Sequence, residues 1–139
     1  MKKLILFTDG GARGNPGPAA SGWVVYDENQ NLLHSEGKYL GETTNNVAEY
    51  TALIEALKTA KGFAATVLEI RMDSELIVKQ MTGTYKIKQP HLQELASRVT
   101  KLLNTFENYK FIHVRRELNK AADKMVNEAL DAKNKNSKN

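Results

Sequence analysis

The distribution of apolar residues along the chain follows two periods, and the changes between them mark out its elements. Leu4-Ile5-Leu6-Phe7 is an unbroken apolar run, the pattern of a strand covered on both faces. The stretch Gly10-Gly11-Ala12-Arg13-Gly14-Asn15-Pro16-Gly17-Pro18 is too rich in Gly and Pro to extend it. It predicts a turn, with Asp9 at the strand's end. Ser21 to Tyr26 and Leu32 to Tyr39 predict an antiparallel hairpin about the turn-prone Asp27-Glu28-Asn29-Gln30-Asn31. Trp23, the only tryptophan, is expected to pack in the core rather than to stack on a base.

From Thr43-Thr44-Asn45-Asn46 onward the period becomes helical: Val47, Tyr50, Leu53, Ile54 and Leu57 share one stripe that runs out near Gly62. Val67 to Met72 returns to a strand, which Asp73-Ser74 ends before a short helix through Met81. A helix between strands brings the chain back in the same sense, so this strand is expected parallel to the first. Tyr85-Lys86-Ile87-Lys88 is a basic loop, and Pro90 starts an amphipathic helix carrying Leu92, Leu95, Ala96, Val99, Leu102, Leu103 and Phe106. Tyr109 to Val114 is a last strand, Arg115 to Leu118 a connection, and Asn119 a cap for a final helix that turns Ala122, Met125, Val126 and Ala129 inward. From Lys133 no residue offers an apolar anchor, so residues 1–132 are expected to form one α/β domain and 133–139 a disordered basic tail.

Composition narrows the chemistry. At 139 residues with 41% hydrophobic and 26% charged positions, the chain is ordinary globular material with room for one core. The absence of Cys excludes disulfides and thiolate metal sites. Met1-Lys2-Lys3 and the apolar run behind it are too short for an export signal, and no stretch approaches membrane-spanning length. A cytoplasmic monomer is the expectation. The net charge is +4; setting aside Asp9, Glu49, Asp73 and Asp123 leaves 20 basic against 12 acidic residues, or +8. A basic body around an acidic spot suits a polyanionic substrate with metal at the reaction centre.

Those four acids have dull explanations singly. Asp9-Gly10 could close a hairpin, Glu49 stands at capping-box offset from Asn46, and Asp123 sits where a helix dipole favours negative charge. Together they suggest more. If the strands ending in Asp9 and Asp73 are neighbours, both carboxylates stand at the sheet's carboxyl edge, where open α/β sheets bind ligands. Glu49 and Asp123 each flank the apolar stripe of a helix. Gathered carboxylates repel one another unless a divalent cation joins them, and hard oxygen ligands favour magnesium or manganese over zinc.

The motifs around these acids resemble a family. Thr8-Asp9-Gly10-Gly11-Ala12-Arg13-Gly14-Asn15-Pro16-Gly17-Pro18, then Thr43-Thr44-Asn45-Asn46-Val47-Ala48-Glu49, Asp73-Ser74, and Asn119-Lys120-Ala121-Ala122-Asp123 are similar, in order, to the blocks of type-1 ribonucleases H. The resemblance implies a five-stranded mixed sheet, three strands antiparallel and then two parallel, with helices on both faces. It implies cleavage of the RNA strand of an RNA–DNA hybrid to 3′-hydroxyl and 5′-phosphate ends, with Asp9, Glu49, Asp73 and Asp123 as catalytic metal ligands. Two Mg2+ ions, with Mn2+ as a substitute, would lie ~3.5–4 Å apart, activating a water and steadying the leaving oxygen. By the same match Asn15, Asn45 and Asn46 would meet sugars and base edges in the minor groove, Thr44 would hold a phosphate, and Gly10, Gly11 and Ser74 would complete the substrate surface. Arg13, Lys86, Lys88, Arg115 and Arg116 are candidate phosphate contacts, and double-stranded RNA a candidate second substrate.

The chain also departs from the family's pattern. Val114 to Asn119 replaces a loop that carries a His in many members, and His113 is expected to be packed in its strand. The basic protrusion of some members shrinks to Lys86 and Lys88, and Val47 and Ala48 stand where longer residues, one basic, occur. Slower or differently metal-dependent turnover and modest affinity are the expectations. Two other readings remain open: a nucleic-acid-binding module of the same fold with weak or no catalysis, and a phosphate-binding domain of the sugar-kinase and actin type.

Overall fold

The computed structural model describes residues 2–137, with side chains through residue 133. Its elements are β1 (Lys3–Ala12), β2 (Gly17–Asp27), β3 (Leu32–Thr43), α1 (Asn45–Gly62), β4 (Val67–Met72), α2 (Glu75–Met81), α3 (Pro90–Leu103), β5 (Asn108–His113) and α4 (Lys120–Ser137). A single 3-10 turn, Arg116–Leu118, joins β5 to α4. The sheet order is β3-β2-β1-β4-β5, with β1–β2 and β2–β3 antiparallel and β1–β4 and β4–β5 parallel. This is the five-stranded mixed sheet expected from the sequence.

Leu4 and Leu6 point from β1 into the main core, where they meet Trp23, Val25, Leu68 and Ile70 of the neighbouring strands and Tyr50, Leu53 and Leu57 of α1. Trp23 is 1% exposed and its indole N–H donates to Thr59 Oγ1 at 3.0 Å, so it is a core residue. Helix α3 closes this layer with Leu92, Val99 and Leu103. On the opposite face α4 packs over β2 and β3, where Val126 and Leu130 cover Ala20.

Two local expectations need correction. β1 does not stop at Asp9: it pairs with β2 through Ala12, so only Arg13 to Pro16 make the turn. Gly14 does lie in that turn, with φ 90°, whereas Gly10 serves helix packing, as do Gly22 and Gly37 further on. A Cβ on Gly10 would collide with the α1 backbone at Ala48 and Glu49, and one on Gly22 or Gly37 would collide with α4 at Ala122 or Met125. His113 ends β5 with an exposed side chain rather than a packed one, because it is the last residue before the chain leaves the sheet. Helix α4 runs to Ser137. Up to the last described side chain it is held by polar contacts: Asp131 pairs with Arg13 at 2.7 Å, and the Lys133 ammonium lies 5.6 Å from the Tyr39 ring centroid. Lys138 and Asn139, the end of that tail, lie outside the described residues.

Candidate metal centre

The centre forms where two strands part. The parallel ladder of β1 and β4 ends at the Thr8–Met72 pair, so Asp9 and Asp73 are the next residues on adjacent strands. Beyond that rung β1 follows β2 while the chain at Asp73 turns into α2, whose N-cap is Ser74. Three glycines bring the helices in. Gly10, next to Asp9, admits the α1 backbone at Ala48–Glu49, and buried Ser21 pins it by donating to the Ala48 carbonyl at 2.7 Å. Asp9, Gly22 and Gly37 lie in one row across β1, β2 and β3, and the last two admit the α4 backbone. Asp123, in the first turn of α4, thereby faces Asp9.

Carboxylate oxygens of Asp9, Glu49 and Asp73 lie within 4.8 Å of one another. Asp123 lies outside that trio but lines the same cleft, of about 500 Å³, with one oxygen accepting from Asn127 Nδ2 at 3.2 Å. Asp9 and Glu49 are each 8% exposed, whereas Asp123 is exposed. Burial, then the negative charge of Asp73 and the hydrogen bond with Asp123, push Asp9 up to about 8. Burial, Asp9 and Asp73 likewise raise Glu49 well above the usual carboxylate range, while the Arg116 guanidinium partly offsets them. These acids are therefore unfavourable as bare anions.

Whether the group fits a divalent cation can be tested on its unpaired atoms. Among the described residues the buried side-chain polar atoms without a hydrogen-bond partner are Thr8 Oγ1, Glu49 Oε2 and Asn119 Oδ1, and all three belong to this region. A buried carboxylate oxygen with no donor, beside two further carboxylates, is the donor set of a hard cation. The residues fit.

The surrounding residues fall into two groups. Thr44 caps α1, accepting from Val47 N at 3.3 Å, and Ser74 caps α2, accepting from Ile77 N at 3.3 Å. Asn45 Oδ1 accepts from Ala12 N at 2.7 Å and Asn15 Oδ1 from Asn45 N at 3.1 Å, which locks the β1–β2 turn to the start of α1. Asn45, Asn46, Gly10, Gly11, Ser74 and Arg116 line the cleft. Lys86 and Lys88 are exposed in the loop before α3, Arg115 is exposed ahead of the 3-10 turn, and Arg13 is engaged with Asp131. Sequence reasoning missed Asn119 as a site residue. It was expected to cap α4, yet its side-chain amide turns to the Thr8 carbonyl and Asp73 instead. The sequence signals were its place at the head of the Asn119–Asp123 block and its position four residues before Asp123, which a cap explains equally well.

The chain is similar to known proteins. A family model described as "Reverse transcriptase-like" matches residues 7–129. Ribonuclease HI of Halobacterium salinarum is 43% identical over 93% of this chain, and ribonuclease H of Clostridium botulinum is 30% identical over 94% of this chain and 97% of its own length. The chain spans 65% of the Halobacterium protein and 36% of a 41% identical bifunctional protein of Mycobacterium tuberculosis. Among solved structures, LC11-RNase H1 in complex with an RNA/DNA hybrid superposes with a TM-score of 0.89 at 50% identity, covering 93% of this chain and 97% of that one. The Halobacterium RNase H1 structure gives 0.91 at 42% identity, over 94% and 98%. With the fold, the order of its acids and these matches all in agreement, the chain belongs to the type-1 ribonuclease H family.

Proposed function

We propose that this chain is an endoribonuclease that hydrolyses the RNA strand of RNA–DNA hybrids, leaving 3′-hydroxyl and 5′-phosphate ends. The observation that carries the reading is the trio Asp9, Glu49 and Asp73, whose oxygens converge within 4.8 Å. The 50% identical relative solved with an RNA/DNA hybrid supports the choice of substrate. Asp9, Glu49 and Asp73, with Asp123 beside them, would hold two Mg2+ ions, or Mn2+ in their place. Such ions supply water activation and stabilise the leaving oxygen of an in-line displacement.

The chain's own residues do the rest. Since Asp9 and Glu49 hold protons well above the ordinary range, loading the site releases protons. Asn15 and Asn45 spend their carbonyl oxygens on backbone N–H groups, which leaves their amide N–H2 groups to act as donors. Donors of that kind suit the acceptors of a minor groove and its 2′-hydroxyls, which distinguish RNA from DNA. Asn46 and Ser74 extend the same wall, and Arg116, at the mouth of the acidic cleft, is placed to take phosphate charge.

A labelled hybrid incubated with Mg2+, Mn2+ or a chelator tests the reading. RNA fragments in either metal and none with chelator are expected, and a parallel double-stranded RNA tests the second substrate. Hybrid binding without cleavage in both metals would replace the enzyme with a binding module of this fold.

A further inference from the structure

Asn119 is 1% exposed, in a connection whose neighbours on both sides are exposed. Its Nδ2 donates to the Thr8 carbonyl at 2.9 Å and to Asp73 Oδ2 at 3.1 Å. Its own carbonyl accepts from the Asp123 backbone N–H at 3.1 Å. One residue therefore reaches the strand residue before Asp9, the carboxylate of Asp73 and the backbone of Asp123. It does so at the split, since Thr8 belongs to the last rung pairing β1 with β4 and Asp73 is the first residue past it.

The other half of the amide argues against a purely structural role. Asn119 Oδ1 is buried without a hydrogen-bond partner. A buried amide with an orphaned oxygen is an unfavourable choice where only filling of space or helix capping is required. The donor half explains its presence: two N–H bonds from one planar group fix the spacing of two strand ends and the rotamer of one carboxylate.

We propose that Asn119 is a positioning residue of the metal centre, its amide tying the backbone beside Asp9 to the carboxylate of Asp73. The inference rests on the metal-centre reading above. A hydrogen bond to a liganding carboxylate orients it, and losing such an outer partner costs about 10–100-fold in metal affinity.

The test titrates Mn2+ and Mg2+ alone, without nucleic acid, into the whole chain and into Asn119→Ala and Asn119→Ser, by calorimetry well below the unfolding temperature. Affinity about 10–100-fold weaker in variants with a native far-ultraviolet spectrum is the expected result. Unchanged metal affinity with only a lower metal-free unfolding temperature would make Asn119 a structural residue and overturn the proposal. Absence of binding in the wild type would instead remove the metal centre, and this inference with it. Should neither variant fold, nuclear magnetic resonance of the wild-type side-chain amide decides. Two resolved, slowly exchanging Asn119 N–H signals before metal, shifting on titration, are expected; averaged or unmoved signals would refute the idea.

Discussion

Asp9 shows how little of a residue's environment its neighbours in sequence disclose. Its place beside Asp73 was legible from strand order, but its burial is not, because the helices that cover it arrive from residues 45–62 and 120–137. Replacing it is expected to separate folding from chemistry. Asp9→Asn should stay folded and lose cleavage by more than the ~10²-fold that follows loss of an outer hydrogen-bond partner, measured as initial rate on a labelled hybrid. The raised Asp9 also sets a pH dependence. A carboxyl that ionises at 3.8 when unfolded and near 8 when folded binds more protons in the native state between those values. Its contribution is thus fully present below pH 3.8 and is lost as pH rises through about 8. Metal-free protein should therefore unfold at falling temperatures across that range, and saturating Mg2+ should flatten the decline; a metal-free curve that rises towards pH 8 would contradict the assignment. The amide oxygens of Asn15 and Asn45 were legible only as polar groups, since their partners, Asn45 and Ala12, are distant in sequence.

At the scale of elements, the centre depends on helices seated on glycines. The chain's Gly-rich opening argued for a turn because glycine weakens a strand in isolation. In the folded molecule that weakness is outweighed by the close approach it permits, so β1 persists through Gly10 and Gly11. The helical stripe of α3 was readable from period alone and that of α1 only in part, since Ala48, Ala52, Ala56 and Ala60 are buried beside it; the seat of α4 was not readable, since Gly22 and Gly37 become partners only in the β2–β3 register. Gly37→Ala should lift α4 and with it Asp123. A cost of about 1–3 kcal/mol, the usual range for overpacking, is expected from chemical denaturation, together with reduced cleavage. In the 3-10 turn, Arg116 lines the acidic cleft. Arg116→Ala should reduce cleavage by about tenfold or more, in keeping with the loss of one group that steadies developing charge. An unchanged rate would leave Arg116 as a merely local partner of Glu49.

The whole molecule is a basic body around an acidic cleft, and this much was readable from composition: +4 overall, +8 once the four acids are set aside. Which cations meet phosphate was not readable, because pairing depends on the fold. Arg13 is held by Asp131, and Lys3, Arg71 and Lys110 converge on the buried Glu69, whereas Lys86, Lys88 and Arg115 stand exposed. Hybrid affinity should fall with added salt by a log–log slope of roughly one per phosphate contact, and Lys86→Ala should reduce that slope by about one. A slope that ignores Lys86 would remove it from the footprint.

The most direct measurement is crystallographic: the protein grown or soaked with Mn2+, with anomalous difference density recorded around the β1–β4 split. Density bounded by Asp9, Glu49 and Asp73, with Asp123 nearest a second peak, is the predicted result. A fully ordered cleft without such density at millimolar Mn2+, or manganese bound only elsewhere, would contradict the account.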